Sequence, residues 1–184
     1  MTVNGSAPNG AGHPAGPPTA QRIAQRLRET MREFATGITV LTTGGDHTHG
    51  MTANAFGSVS LDPPLVMCCV AHSAAMHAAI GGAGHFGVSI LGADQEHLAR
   101  YFADRRRPRG RAQFDAVRWR RGAHTGAPLL VGSPAWLECR LAHAHEGGDH
   151  TIFVGEVLAT GAEPGRDPLL FFGGDYHRVA ARTA

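Results

Sequence analysis

The 184-residue chain has only three cysteines, Cys68, Cys69 and Cys139, and none stand in a CxxC spacing. A cysteine-built zinc site is therefore not expected. In a strand, Cys68 and Cys69 would point to opposite faces and would not bond to each other. Reduced, partly buried thiols in a cytoplasmic protein are the simple expectation. Long apolar runs are also missing: none approaches the roughly 18 residues of a membrane helix. The Gly-, Pro- and Asn-rich opening has no apolar core of a secretory signal. Neither charge sign dominates, with 17 Lys+Arg against 15 Asp+Glu. The arginines gather in one loop instead of alternating with aromatics along a face, so nucleic acid is not an expected partner. No Gly-x-Ser-x-Gly elbow is present, which argues against a serine hydrolase. No GxGxxG stands between a strand and a helix, which argues against a dinucleotide-binding Rossmann unit.

What is present centres on the uncharged run from His49 to Leu61, which is nonetheless not greasy. Thr52, Asn54, Ser58 and Ser60 alternate with apolar residues, a period-two pattern that reads as strand. One face would enter a core and the other would offer short donors and acceptors. Such a face suits a flat, polar, aromatic ligand lying close to backbone N–H groups. A strand with one wet face gives the same pattern, so the stretch alone leaves both readings open.

Residues 1–19 cannot bury enough apolar area to offset their ordering entropy and are expected to form a disordered tail ahead of a single domain over 20–184. From Ala20 to Ala35, Ile23, Leu27, Met31 and Phe34 recur at helical spacing, which predicts an amphipathic helix packed on the domain or on a partner subunit. Strands follow over Ile38–Thr43 and Met51–Phe56, then a continuous apolar strand over Leu65–Val70 of the type buried on both faces. Ser73 is a good N-cap for a helix running to about Ile80, whose free N–H groups would make an anion site. Phe86–Leu91 is the next strand, and Asp94 caps a helix through Phe102. The run Arg105–Arg111 reads as a solvated loop that could also grip the phosphates of a dinucleotide. Phe114, Val117 and Trp119 suggest a short extended piece. Ala135–His145 and His150–Ala159 form a hairpin about Glu146–Asp149. A last strand, Leu169–Val179, is interrupted at Gly173–Asp175. Many short strands with few helices predict a mainly β fold, a closed or split β-barrel.

Twelve histidines invite a metal reading. His143 and His145 share a strand face, and Glu146 and Asp149 lie in the adjoining turn. With no carboxylate clearly placed as a third ligand, surface or hydrogen-bonded histidines are the simpler expectation, and no metal is expected.

Several words in order carry a further observation. They are Phe34-Ala35-Thr36-Gly37-Ile38-Thr39-Val40-Leu41-Thr42-Thr43, Gly50-Met51-Thr52-Ala53-Asn54-Ala55-Phe56, Gly148-Asp149-His150-Thr151, Pro168-Leu169-Leu170-Phe171-Phe172 and Tyr176-His177. Together they span about Arg28 to Val179 and resemble the flavin reductase family, the small partner of two-component flavin monooxygenases. The resemblance implies a Greek-key split β-barrel of the FMN-binding type with a few peripheral helices. It implies a homodimer that reduces FMN or FAD with NADH or NADPH and releases the reduced flavin to a monooxygenase. On the flavin side it implies Met51, Thr52, Ala53 and Asn54 at the ring and ribityl chain, with Ser58 and Ser60 beside them. Ala71, His72, Ser73 and Ala74 would surround the phosphate, and Phe86 and Ser89 would complete the pocket. His150 would hold the nicotinamide with Asp149 orienting its ring, and Tyr176 and His177 would form the nicotinamide-side pair. Two places depart from the family pattern: Ser89 stands where many relatives have asparagine, and the Arg-rich loop replaces a shorter, Lys-containing segment. A flavin-retaining oxidase of the same fold and a non-catalytic flavin-binding or storage protein are the competing readings.

Overall fold

The computed structural model describes residues 19–179, so the tail expected over 1–19 lies outside the described residues except for Thr19. The chain divides into two units after Phe34. In the first, α1 (Ala20–Met31) starts at Thr19, whose hydroxyl accepts from the Arg22 N–H at 3.4 Å. The stripe of Ile23, Leu27 and Met31 is present, yet no residue of α1 is buried. The helix stops four residues before the expected Ala35.

The second unit is mainly β. In chain order it runs β1 (Thr36–Gly37), β2 (Thr39–Thr43), β3 (His49–Ala53), β4 (Phe56–Leu61), β5 (Pro64–Ala71), α2 (Ala75–Ala83), β6 (His85–Ile90) and α3 (Glu96–Ala103). It continues with β7 (Trp119–Arg121), β8 (Pro128–Leu130), β9 (Ala135–Gly147), β10 (His150–Ala162), β11 (Leu169–Phe172) and β12 (Asp175–Arg178). Seven strands form one antiparallel sheet in the order β3-β2-β6-β9-β10-β5-β4. β1, β11 and β12 form a small sheet, and β7 pairs with β8.

β2 is buried along its whole length. Because successive side chains point to opposite faces, Leu41 enters one core and Val40 another. The first core joins Leu41 to Val66, Cys68 and Val70 of β5, Phe86 of β6, Phe153 of β10 and Met76 and Ile80 of α2. The second joins Val40 to Phe102 of α3, Phe114, Leu130 and Leu169. Gly155 belongs to the first core's geometry: a Cβ there would stand 2.5 Å from a Phe86 ring carbon. Cys68 and Cys139 lie in that core, and burial pushes both thiols up to about 12.

Four expectations change. The run His49–Leu61 is two strands, not one: the chain turns at Asn54–Ala55, where the Phe56 N–H bonds Asn54 O at 3.0 Å, and β3 and β4 lie at opposite edges of the sheet. Thr52 and Ser58 therefore do not share a strand face. β5 is buried on one face only, with Val66, Cys68 and Val70 inside and Met67 exposed. Asp94 does not cap α3; a 3-10 turn over Ala93–Gln95 comes first, held by Gln95 N–H to Gly92 O at 2.9 Å. The last interrupted strand is a hairpin, because Gly173 and Gly174 take φ of 63° and 95°, the two-residue turn that reverses a strand.

Glu138 of β9 is fully buried, and its carboxylate accepts from the Ala123, His124 and Thr125 N–H groups at 2.8–3.0 Å and from the Thr125 hydroxyl at 2.8 Å. Burial alone would raise its pKa; the bonds from Thr125, His124 and Ala123 outweigh it and hold the group below the usual carboxylate value. Glu138→Ala leaves those donors unsatisfied and should cost about 2–4 kcal/mol in denaturant unfolding. Since the folded pKa is depressed, this stability is present above the unfolded value of about 4.3 and is lost as pH falls through the folded one. Glu138→Gln should flatten that acid limb.

Candidate functional site

A cleft of about 460 Å³ opens where three segments meet. β3 supplies His49, Met51 and Thr52; the β5–α2 junction supplies Ser73, Ala74 and Ala75; the end of α3 and the loop after it supply Phe102, Ala103, Arg105, Arg107, Pro108 and Arg109. The walls are pinned from behind. The Thr52 hydroxyl donates to Ala99 O at 2.7 Å, tying β3 to α3. Gly50 permits this approach: a Cβ there would lie 2.6 Å from the Phe102 ring and 3.0 Å from that of Phe114.

The arginine loop is fastened to β3. Arg107, half-buried, donates to the carbonyl oxygens of Gly50 and of Asp104 and, at 3.3 Å, to Gln113 Oε1. Gln113, fully buried, also accepts from the Gly50 N–H at 3.0 Å and donates to Gly110 O at 2.7 Å. The Asp104 carboxylate is taken by Arg106 at 3.2 Å, and among the described residues no carboxylate lies within ion-pair distance of Arg107. Its charge is held by neutral backbone oxygens. His49 lies beside it, with Nε2 3.4 Å from Arg107 Nη2 and Nδ1 3.4 Å from Gln113 Nε2. Burial, then the Arg107 and Arg109 charges, lower His49 to about 4, so its ring is neutral at ordinary pH.

Ser73 does not cap α2. Ala74 is the N-cap and no side chain bonds the first helical N–H groups. Ser73, Ala74 and Ala75 line the cleft with Arg105, Arg107 and Arg109. This donor set fits a flavin nucleotide: cationic and N–H groups for phosphate, small residues for a flat ring, and a volume within the roughly 300–1,000 Å³ range of cofactor pockets.

Ten of the sequence-predicted residues separate into four places. Met51, Thr52, Ser73 and Ala74 line the cleft. Ala53, its side chain in the first core and its carbonyl bonded by the Thr39 hydroxyl at 2.8 Å, and Asn54, exposed at the strand break, adjoin it. Ser58 and Ser60 lie on the far edge strand β4, where Ser60 Oγ accepts from Asp62 N–H at 3.2 Å. Phe86 and Ser89 are sealed inside: Phe86 fills the first core and Ser89 Oγ accepts from Leu130 N–H at 2.9 Å.

The remaining residues form two groups. Ala71 pairs opposite His150, and the His72 N–H donates to Asp149 O at 3.0 Å, so the Gly148-Asp149-His150 turn docks on the strand leading to α2. His150 Nδ1 lies 2.7 Å from Asp149 Oδ1, and that hydrogen bond, then the ring's charge, lower the Asp149 pKa. His72 and His77 converge on the Thr151 hydroxyl at 3.2 and 2.8 Å. Tyr176 and His177 lie apart on β12, Tyr176 under the Arg100 guanidinium at 4.8 Å and His177 bonded to Phe172 O at 3.1 Å. The His143 and His145 rings stack at 5.8 Å, and among the described residues no group of three ligating side chains is arranged for a metal ion. His49, Phe102 and Gln113 were not foreseen in the site. Nothing sets His49 apart among twelve histidines, and Gln113 carries no local pattern.

The sheet and cleft together define a mainly β domain with a cationic cleft sized for a nucleotide cofactor. Residues 31–180 match the family model described as "Flavin reductase like domain", and the chain belongs to that family. It is 51% identical over 148 residues to an NADH-dependent FAD reductase of Streptomyces globisporus, covering 80% of this chain and 81% of that protein. It is 46% identical over 148 residues to the FMN reductase (NADH) SmoA of Agrobacterium fabrum, with the same coverage. The crystal structure of BorF, the flavin reductase component of a bacterial two-component tryptophan halogenase, superposes with a TM-score of 0.82 at 50% identity, covering 86% of this chain and 99% of that one. No helix among the described residues is long and apolar enough to cross a membrane.

The depressed His49 pKa has a consequence for stability. An unfolded histidine binds its proton near pH 6.5, whereas folded His49 does so only near 4. Its contribution is complete above 6.5 and declines as pH falls toward 4. His49→Gln should reduce the pH dependence of the denaturant midpoint in that window, and an NMR titration should show no His49 ring transition between pH 5 and 8.

Proposed function

We propose that this chain is an NADH-dependent flavin reductase that passes diffusible reduced flavin to a partner oxygenase, a monooxygenase or a halogenase. The observation that carries the reading is the cleft where β3, the start of α2 and the arginine loop converge. The electron donor follows the names of the two curated relatives, and the two-component role follows BorF.

In this reading Met51 and Thr52 would hold the ring of FMN or FAD, and Ser73, Ala74 and Arg107 would hold its phosphate. Bound flavin supplies the two-electron acceptor for hydride from the nicotinamide. The chain's own part is positioning, since hydride transfer between stacked rings needs close, parallel approach and no protein acid or base. His150 holds the nicotinamide. The Asp149 carboxylate accepts from Nδ1–H and so orients the ring. Tyr176 and His177 complete the nicotinamide side. A split β-barrel accounts for the sheet: its two edges, β3 and β4, are joined by only two residues, and side chains from six of its strands meet in one core. We take residues 20–184 as the reductase domain and the active form as a homodimer. Exposed Val59, Leu61 and Met67 at the β4–β5 edge support a dimer contact. Free thiols and the use of NADH fit the cytoplasm.

NADH oxidation by the purified protein should be slow without flavin and should saturate with added FMN or FAD. No oxidation with either flavin, with NADH or NADPH, would overturn the reading in favour of a storage protein. His150→Ala should raise the KM for NADH by about tenfold, near the 1.4 kcal/mol of one hydrogen bond, with flavin affinity unchanged; equal losses on both sides would remove His150 from the nicotinamide site.

A further inference from the structure

Among the described residues, α1 is the one α-helix that buries no residue. Ile23, Leu27, Met31 and Phe34 stand along one face of it and its last turn, each more than half exposed. A helix of 12 residues is marginal in water unless packing covers its apolar face. Beyond its backbone ladder it has the long Thr19 cap and a bond from Gln25 Nε2 to Glu29 Oε1 at 2.7 Å. Those do not replace a covered face.

The charges beside the stripe indicate what covers it. Arg22, Arg26, Glu29 and Glu33 recur at i, i+4, i+7 and i+11, along one flank. Glu33 lies just past α1 but still follows its winding, with its N–H bonded to Thr30 O at 3.1 Å. The arginines come first and the glutamates last. That order opposes the helix macrodipole, which favours acids near the N-terminus, and the first turn of α1 holds no acid. Among the described residues none of the four makes an ion pair. A flank laid out positive then negative complements its own reverse. Antiparallel two-fold pairing brings this same flank of both copies together, arginine half against glutamate half. Parallel pairing would set it against the other flank, which carries Ala24 and Arg28.

The apolar stripe shares that centre. Ile23 and Met31 each lie four positions from Leu27. Reversal about Leu27 therefore places Leu27 on its own copy and Ile23 on Met31 of the second copy. The same reversal brings Arg26 within one residue, about 1.5 Å of rise, of level with Glu29 of the second copy, and Arg22 equally near Glu33.

We propose that α1 is an association element, pairing antiparallel with α1 of a second copy of this chain about a dyad at Leu27. The pairing is independent of flavin chemistry and of the β4–β5 contact.

The test uses the full-length protein with stripe residues replaced by cysteine, under a mild thiol oxidant, read on non-reducing gels. Wild type, with Cys68 and Cys139 buried, gives the baseline. Leu27→Cys should form a covalent dimer. Ile23→Cys alone should not, because the pairing holds the two copies of residue 23 about 12 Å apart along the axis. A mixture of I23C and M31C chains should link. In the L27C background, chains with R22E/R26E and chains with E29R/E33R should each link about tenfold more slowly. Mixing those two should recover the rate, which no change within a single helix can do. Failure of L27C to link overturns the pairing and leaves the stripe to a different occupant. Linking by I23C alone means parallel helices and overturns it too, as does linking that ignores the charge reversals.

Discussion

The second unit depends on β2 being buried on both faces. Leu41 and Val40 are neighbours in sequence but belong to separate cores, one capped by α2 and the other built with α3. A strand used this way fixes the distance between two helices that never pair with each other. The cleft forms where the end of one helix and the start of the other approach β3, the strand hydrogen-bonded to β2. The site is therefore set by core packing, and its loop is rigid because Gln113 and Arg107 fasten it to Gly50.

That fastening also governs charge. Some exposed arginines find carboxylates, as Arg106 finds Asp104 and Arg140 finds Glu156. Arg107 is instead bonded to carbonyl oxygens and to an amide. Neutral acceptors orient a guanidinium without cancelling it, which leaves the full charge for an anionic ligand. The neutral imidazole of His49 beside it serves the same end, since a protonated ring there would meet two donors.

The strands were legible in the sequence where alternation and turn residues agreed. The β9–β10 hairpin and β6 are found close to where the patterns place them. The run His49–Leu61 reads as one strand because alternation of side chains is silent about a backbone turn: Asn54 and Ala55 are neither Gly nor Pro, and only the pairing of β3 with β2 and β4 with β5 reveals the break. Of the residues that line the cleft, Met51 and Thr52 stand in the family words, Ser73 and Ala74 come from the phosphate site the resemblance implies, and the arginine run is visible from its charge. Phe86 and Ser89 were not separable from pocket residues, because a strand pattern does not say which face a ligand meets; here both are buried. The burial of Glu138 carries no local sequence signal, since its four donors come from a loop more than ten positions away.

The arginine loop bears on how fast a ligand arrives as well as how firmly it is held. The chain's formal net charge is only +2, yet Arg105, Arg107 and Arg109 concentrate positive potential at one mouth. Low-dielectric walls focus such a field outward and draw anions in from several ångströms away. Ionic strength shortens that reach, because the Debye length is about 8 Å at physiological salt. Contacts made inside the cleft are screened far less. Rising salt would therefore slow capture of a phosphorylated ligand while leaving its escape almost unchanged, and a carrier that must load and unload in each cycle would be throttled at the loading step.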